Sequence, residues 1–167
     1  MRPQRFLNNR YDLTQWICAS ARFNTFITLT LKQGILDDTF RGLITPIGRD
    51  DCVKTAWLFR DRLTRKVLHS TRLRHRERLP LAAFVEGGEF KRYHLHIIAE
   101  RPAAVTFERF AGAVCQVTEN LPWVHNRIDT RPLTYGRPEC VVNYCLEEGT
   151  EAFLPEASCL HALELIC

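Results

Sequence analysis

His94 and His96 flank a single leucine in Tyr93-His94-Leu95-His96-Ile97-Ile98. The run is aromatic and β-branched, and it is predicted to be a strand. Side chains alternate across a strand, so the two imidazoles share a face with Cα atoms about 7 Å apart. Leu95 and Ile97 point the other way, toward a core. Two imidazoles on one face supply half the donors of a divalent-metal site. The same pair also fits two surface histidines on the polar side of a half-buried strand. Chemistry requires further donors beside them.

Two other segments offer these. Leu81-Ala82-Ala83-Phe84-Val85-Glu86 is a second predicted strand, bounded by Pro80 and by Gly87-Gly88. Gly87-Gly88-Glu89 is a turn signal, so a hairpin is expected to bring Glu86 beside the Tyr93–His96 stretch. Whether Glu86 faces the histidines depends on register, which the sequence leaves open. If it does, two imidazoles and a carboxylate form a metal set that suits Mn²⁺ or Mg²⁺ with positions left for water, and Zn²⁺ is not excluded. Val141-Val142-Asn143-Tyr144-Cys145-Leu146 has strand propensity, but Pro138, Glu139 and Gly149 frame it as a helix. On that helix Tyr144 shares a face with Glu147 and Glu148, three and four positions on. Val142 and Cys145 then pack inward. Tyr144 is thus either a packing residue or a nucleophile.

These elements need a scaffold. A helix is expected from Asn9 to Phe23, with Leu13, Trp16 and Ile17 on one face. Phe26–Leu31 is a predicted strand whose Thr28 and Thr30 would face the histidines if it lies centrally. Phe40–Ile47 is expected to extend an edge. A long helix is predicted from Asp51 to about Ser70, capped by Asp50 or Asp51. Thr106 is an N-cap for a helix running to Thr118, Trp123–Leu133 is a last strand, and Glu156–Ile166 is a short C-terminal helix. The expected class is α+β, a central antiparallel sheet with helices packed on it, in one domain spanning 1–167.

Composition is permissive. The chain has 167 residues, 46% of them hydrophobic, and a net charge of +4. That is enough for one core and only modestly basic. No apolar stretch is long enough for a membrane span, and Met1-Arg2-Pro3-Gln4-Arg5 lacks the apolar run of a signal peptide, so a cytoplasmic location is expected. Seven cysteines without a secretory signal are expected to stay reduced. No Cys-x-x-Cys occurs, and Cys140, Cys145, Cys159 and His161 have poor zinc spacing. Arg60, Arg62, Arg65, Lys66, Arg72, Arg74, Arg76 and Arg78 crowd one stretch. They form either a phosphate-binding strip or the solvated face of a helix and its exit loop.

The three segments, in order, resemble those of the HUH endonucleases, specifically the rolling-circle replication initiators of plasmids and phages. Phe26-Ile27-Thr28-Leu29-Thr30 matches the first motif. His94-Leu95-His96, preceded by the acidic Glu86, matches the second. Tyr144 in Asn143-Tyr144-Cys145-Leu146-Glu147-Glu148-Gly149 matches the third, with a single tyrosine. The resemblance runs from about residue 23 to residue 153. It implies a five-stranded antiparallel sheet with the histidine strand central. It also implies Mn²⁺- or Mg²⁺-dependent nicking and rejoining of single-stranded DNA, at an origin or hairpin, through a 5′-phosphotyrosine. One position departs from the pattern: the lysine usual three residues after the tyrosine is Glu147. Glu147 then either joins the mechanism or marks a weakened site, and Lys91, Arg92 or Arg127 is a candidate substitute for the lysine. No G-x-x-x-x-G-K-[ST] occurs, so a helicase would be a host or separate protein, or this chain is a piece of a longer one. A DNA-binding protein without catalysis, a transposase- or relaxase-type relative, and a plain metal-binding or structural domain are the other expectations.

Overall fold

The computed structural model describes residues 9–36, 42–68, 77–88, 90–133 and 137–160. The described chain runs α1 (Arg10–Ser20), β1 (Thr25–Leu31), β2 (Gly34–Leu36), β3 (Ile44–Pro46), α2 (Arg49–Val67), β4 (Leu81–Gly88), β5 (Lys91–Ala99), α3 (Phe107–Thr118), β6 (Val124–Pro132) and α4 (Pro138–Cys145). Single 3₁₀ turns follow at Thr150–Ala152 and Pro155–Ala157. The fold is α+β, with an antiparallel sheet ordered β4-β5-β1-β6. The histidine strand β5 is one of the two inner strands.

Among the described residues the sheet has four regular strands, where the family resemblance implies five. An irregular C-terminal segment flanks the outer edge of β4 instead. Leu81 and Cys159 exchange backbone hydrogen bonds, Leu154 donates to the Ala83 carbonyl, and the Ser158 hydroxyl accepts from the Ala83 N–H. These bonds satisfy β4 amides that would otherwise be an exposed edge. They also displace the helix expected from Glu156. Pro155 confines the coil to one 3₁₀ turn, and Ala157 and Leu160 are buried; residues 161–166 of that expected helix lie outside the described residues. β2 and β3 form a separate two-stranded ribbon and do not extend the main sheet.

Both faces of the sheet carry apolar side chains, in two separate cores. Ile27, Leu29, Leu31, Leu95 and Ile97 point toward α2 and α3, where Phe59, Leu63, Phe110 and Val114 meet them. Ala82, Phe84 and Ile98 point the other way and pack on Leu13 and Ile17 of α1, Val142 and Cys145 of α4, and Phe153. This second core covers only one end of its face.

Local signals account for most helix ends. Asn9 Oδ1 accepts from the Tyr11 N–H, and Thr106 Oγ1 from the Arg109 N–H. α2 begins at Arg49, not at Asp51, because Gly48 is its N-cap and donates its N–H to Asp51 Oδ2. α1 stops at Ser20, short of Phe23. Ala21 is already extended, and Arg22 donates its N–H to Glu100 Oε2 on the way into β1. No described helix is long and apolar enough to cross a membrane.

Phe59 is fully buried between α2 and the sheet. Phe59→Ala is expected to destabilise the fold by about 3–5 kcal/mol, read as a lower urea midpoint with an unchanged slope.

Candidate functional site

Strand register decides what the histidines meet. β4 pairs with β5 so that Glu86 lies opposite His94 and Phe84 opposite His96. β1 pairs on the other side, with Thr28 opposite His96 and Thr30 opposite His94. Residues directly opposite in an antiparallel pair share a face. Glu86, His94, His96, Thr28 and Thr30 therefore stand together on the face that the second core leaves partly open. The expectations for Thr28, Thr30, Leu95 and Ile97 agree with this arrangement, and the open question about Glu86 is answered.

The imidazoles are held from several sides. The His94 and His96 rings stack with centroids 6.3 Å apart and 12° between planes. Phe26 stacks on His96 at 5.6 Å. Thr28 Oγ1 lies 3.2 Å from His96 Nδ1, and Thr30 Oγ1 lies 3.4 Å from His94 Nδ1. An Nδ1–H of His94 donating to Thr30 leaves that ring's Nε2 lone pair free, which is how metal-ligating histidines are oriented, whereas His96 uses its Nε2–H to meet a carboxylate. His96 Nε2 lies 2.6 Å from Glu86 Oε2. Lys91 donates to the other oxygen of Glu86, and to Glu148 Oε1 at 2.8 Å. Glu148 Oε2 also accepts the Gly87 N–H at 3.0 Å.

Tyr144 comes from α4, which Pro138 opens in its first turn. The helix ends at Cys145, four residues before Gly149. Leu146 departs from helical geometry and is buried, and Glu147 and Glu148 lie in the following turn. Tyr144 thus does not share a helical face with Glu147 and Glu148. α1 holds α4 in place: Arg10 donates to the Asn143 carbonyl and Thr14 Oγ1 to Asn143 Oδ1. The Tyr144 ring meets His96 edge-on at 5.5 Å and is 49% exposed, so its hydroxyl-bearing side chain is accessible. An open pocket of about 480 Å³ is lined by Glu86, Lys91, His94, His96, Arg131 and Tyr144, with Phe26 and Thr28 at its wall.

The electrostatics follow from this packing. Burial works to raise the Glu86 carboxyl, but hydrogen bonds from Lys91 and His96 outweigh it and hold it below the ordinary range. Glu148 is also held low, by Lys91 and the Gly87 N–H. Burial, then the charge of His96, lowers His94. Burial, then the charge of Glu86, raises Tyr144, so its resting form is the neutral phenol. Cys145, the next residue of α4, is pushed up to about 12 by burial and is a packing residue.

The remaining candidates scatter. Glu147 is exposed and does not line the pocket. Arg92 is exposed and alternates onto the same face of β5 as His94. Arg127 is exposed on β6, beside the exposed ion pair of Asp129 and Arg131. Arg60 and Arg65 lie on α2, across the sheet from the histidines. Arg60 is half-buried, stacks on Trp57 and donates to the Glu156 and Ser158 carbonyls, so it anchors the C-terminal segment. Arg65 pairs with Asp61 one turn back. Arg72, Arg74 and Arg76 lie outside the described residues. Two site residues stood out less in the sequence, Phe26 and Glu148. Phe26 was legible from its parity with Thr28; Glu148 was not, because its role depends on where the turn after α4 lands.

The donor chemistry fits a divalent cation: two imidazole nitrogens and a carboxylate on one open face. Among the described residues, however, no three His, Cys, Asp or Glu side chains already close into a coordination sphere. Glu86 instead satisfies His96 and Lys91. The fold and site together define an antiparallel α+β domain with a histidine–carboxylate–tyrosine pocket. No protein-family profile, curated protein or solved structure matches the chain.

Gly87 holds the hairpin that carries Glu86. Its φ is +114°, and a Cβ there would lie 2.6 Å from the Arg92 carbonyl oxygen. Gly87→Ala is expected to cost about 1–3 kcal/mol of backbone strain and to shift the imidazole NMR resonances of His94 and His96, while Gly112→Ala on α3, where a Cβ meets nothing within 4 Å, would not.

Proposed function

We propose that this domain nicks and rejoins single-stranded DNA in the manner of a single-tyrosine HUH endonuclease, acting in rolling-circle replication of a phage, plasmid or related element. The observation that carries this reading is the convergence of Glu86, His94, His96 and Tyr144 on one pocket from the β4–β5 hairpin and from α4, which lies far from it in sequence. A buried structural tyrosine or a pair of surface histidines has no reason to gather in this way.

Each residue has a part. Glu86 and the Nε2 atoms of His94 and His96 would hold Mn²⁺ or Mg²⁺, oriented by Thr28 and Thr30. When bound, such an ion offsets the negative charge of the phosphodiester and favours the phenolate. Tyr144 Oη attacks phosphorus, a Tyr–O–P bond forms, and the P–O3′ bond breaks. The phenol proton is replaced in the balance by the one gained on the departing 3′-oxygen. The 5′-phosphotyrosine keeps the ester reactive, so a free 3′-hydroxyl reverses the step and rejoins a strand. Lys91 and Arg131 are the basic residues that line the pocket, and Lys91 would take the part of the family's motif lysine. Glu147 is outside. A helicase would be recruited separately, and the setting would be the cytoplasm.

A second reading has its own observation. Glu86 is bound by both His96 and Lys91, an arrangement that also suits a domain that binds DNA without cutting it. The two differ in covalent chemistry.

Incubation with a diverse pool of single-stranded oligonucleotides and Mn²⁺ or Mg²⁺ is expected to give an SDS-resistant adduct that EDTA prevents. Tyr144→Phe should abolish the adduct and leave DNA binding nearly intact, and His94→Ala with His96→Ala should abolish it as well. An adduct that survives Tyr144→Phe would place the nucleophile elsewhere. DNA binding with no adduct under any of these conditions would favour the second reading. Glu147→Lys is expected to change adduct yield by no more than about twofold, the scale of a surface substitution.

A further inference from the structure

Phe90 is 96% exposed, the most exposed of the large apolar side chains among the described residues. It occupies the turn between β4 and β5, next to Lys91 and Arg92. Neither core nor hairpin geometry calls for it there. Gly87 and Gly88 end β4, with Gly88 paired to Lys91, so Phe90 sits in the reversal itself, where tight turns favour Gly, Asn or Asp. An aromatic ring held fully in water at a turn has no folding role among the described residues.

Its surroundings select what would cover it. Lys91 lines the pocket that holds Tyr144. Arg92 is exposed, forms no ion pair or side-chain hydrogen bond among the described residues, and shares its face with His94. Phe90 lies four residues before His94, about 13 Å along the strand at ~3.3 Å per residue. A ring flanked by cations and set beside a phosphate-handling pocket matches how proteins bind unpaired nucleic acid: bases stack on the aromatic, and phosphates lie along the charges. A duplex offers no free base face, so the occupant is single-stranded.

We infer that Phe90 is a stacking platform for an unpaired nucleobase of a DNA strand whose phosphates run over Arg92 toward Tyr144. The inference rests on the proposed single-stranded DNA reading and adds a subsite to it. Phe90 touches no reacting atom, and its contribution is to hold the strand in register with the pocket.

The test is fluorescence anisotropy with the full chain, in EDTA so that no cleavage intervenes. The probes are labelled oligo(dT) and an abasic strand of the same length. Phe90→Ala is expected to weaken oligo(dT) binding about 5- to 100-fold, the loss of one base–aromatic stack, and to leave the abasic strand unaffected. Phe90→Trp should retain affinity and show indole quenching when oligo(dT) binds. Wild-type affinity in Phe90→Ala would overturn the subsite alone and point to a protein partner for the ring. Equal weakening on both strands would also overturn it, because no base would then be involved. Failure of the wild-type chain to bind either strand would overturn the DNA reading and the subsite together.

Discussion

The pairing register of β4, β5 and β1 is the constraint on which the pocket depends. Side-chain direction in a sheet has a period of two, so a slip of one residue would send a whole set of side chains to the opposite face. With Glu86 opposite His94 and Thr28 opposite His96, one face receives a carboxylate, two imidazoles and the two hydroxyls that orient them. The same register sends Leu95, Ile97, Ile27 and Leu29 into the core beneath α2 and α3. The apolar side of the register stabilises the polar side. Exposing those four residues would cost far more than any contact within the pocket is worth.

The second core sets the boundary of the site. α1, α4 and Phe153 cover Ala82, Phe84 and Ile98, and stop there. Tyr144 stands at the last turn of α4, where cover gives way to solvent, and Phe26 marks the same line on β1. A side chain at such a margin is fixed by packing on one side and reachable from the other. The Arg10 and Thr14 bonds to Asn143 tie the helix to α1 one residue from the tyrosine, which limits how far its ring can wander.

The pocket's carboxylates are held in one network of ion pairs. Glu86 and Glu148 share the Lys91 ammonium, and Glu86 also meets His96. This network joins the hairpin to the turn after α4, so the element bearing the imidazoles and the element bearing the tyrosine are locked to one another. A divalent cation entering the trio would compete with Lys91 for Glu86 through like-charge repulsion. Lys91 would then keep Glu148 as its partner while presenting its remaining donors to the pocket.

Much of this was legible in the sequence wherever the signal was local. Alternation in Tyr93–Ile98 and Phe26–Leu31 assigned faces correctly. Thr106 marked a helix start, Pro138 the opening of α4, and Gly87-Gly88 a hairpin, because capping and turn chemistry act over a few residues. What tertiary structure alone decided was longer in range. It turned Glu86 toward His96, because hairpin register depends on the bulge after Glu86. It made Glu148 and not Glu147 the partner of Lys91, because burial of Leu146 ended the helix early. It made Arg60 an anchor for the C-terminal segment, which lies nearly a hundred residues away. Sequence pattern reports which way a side chain leaves its own element; which neighbour it meets there depends on packing between elements whose separation along the chain carries no local trace.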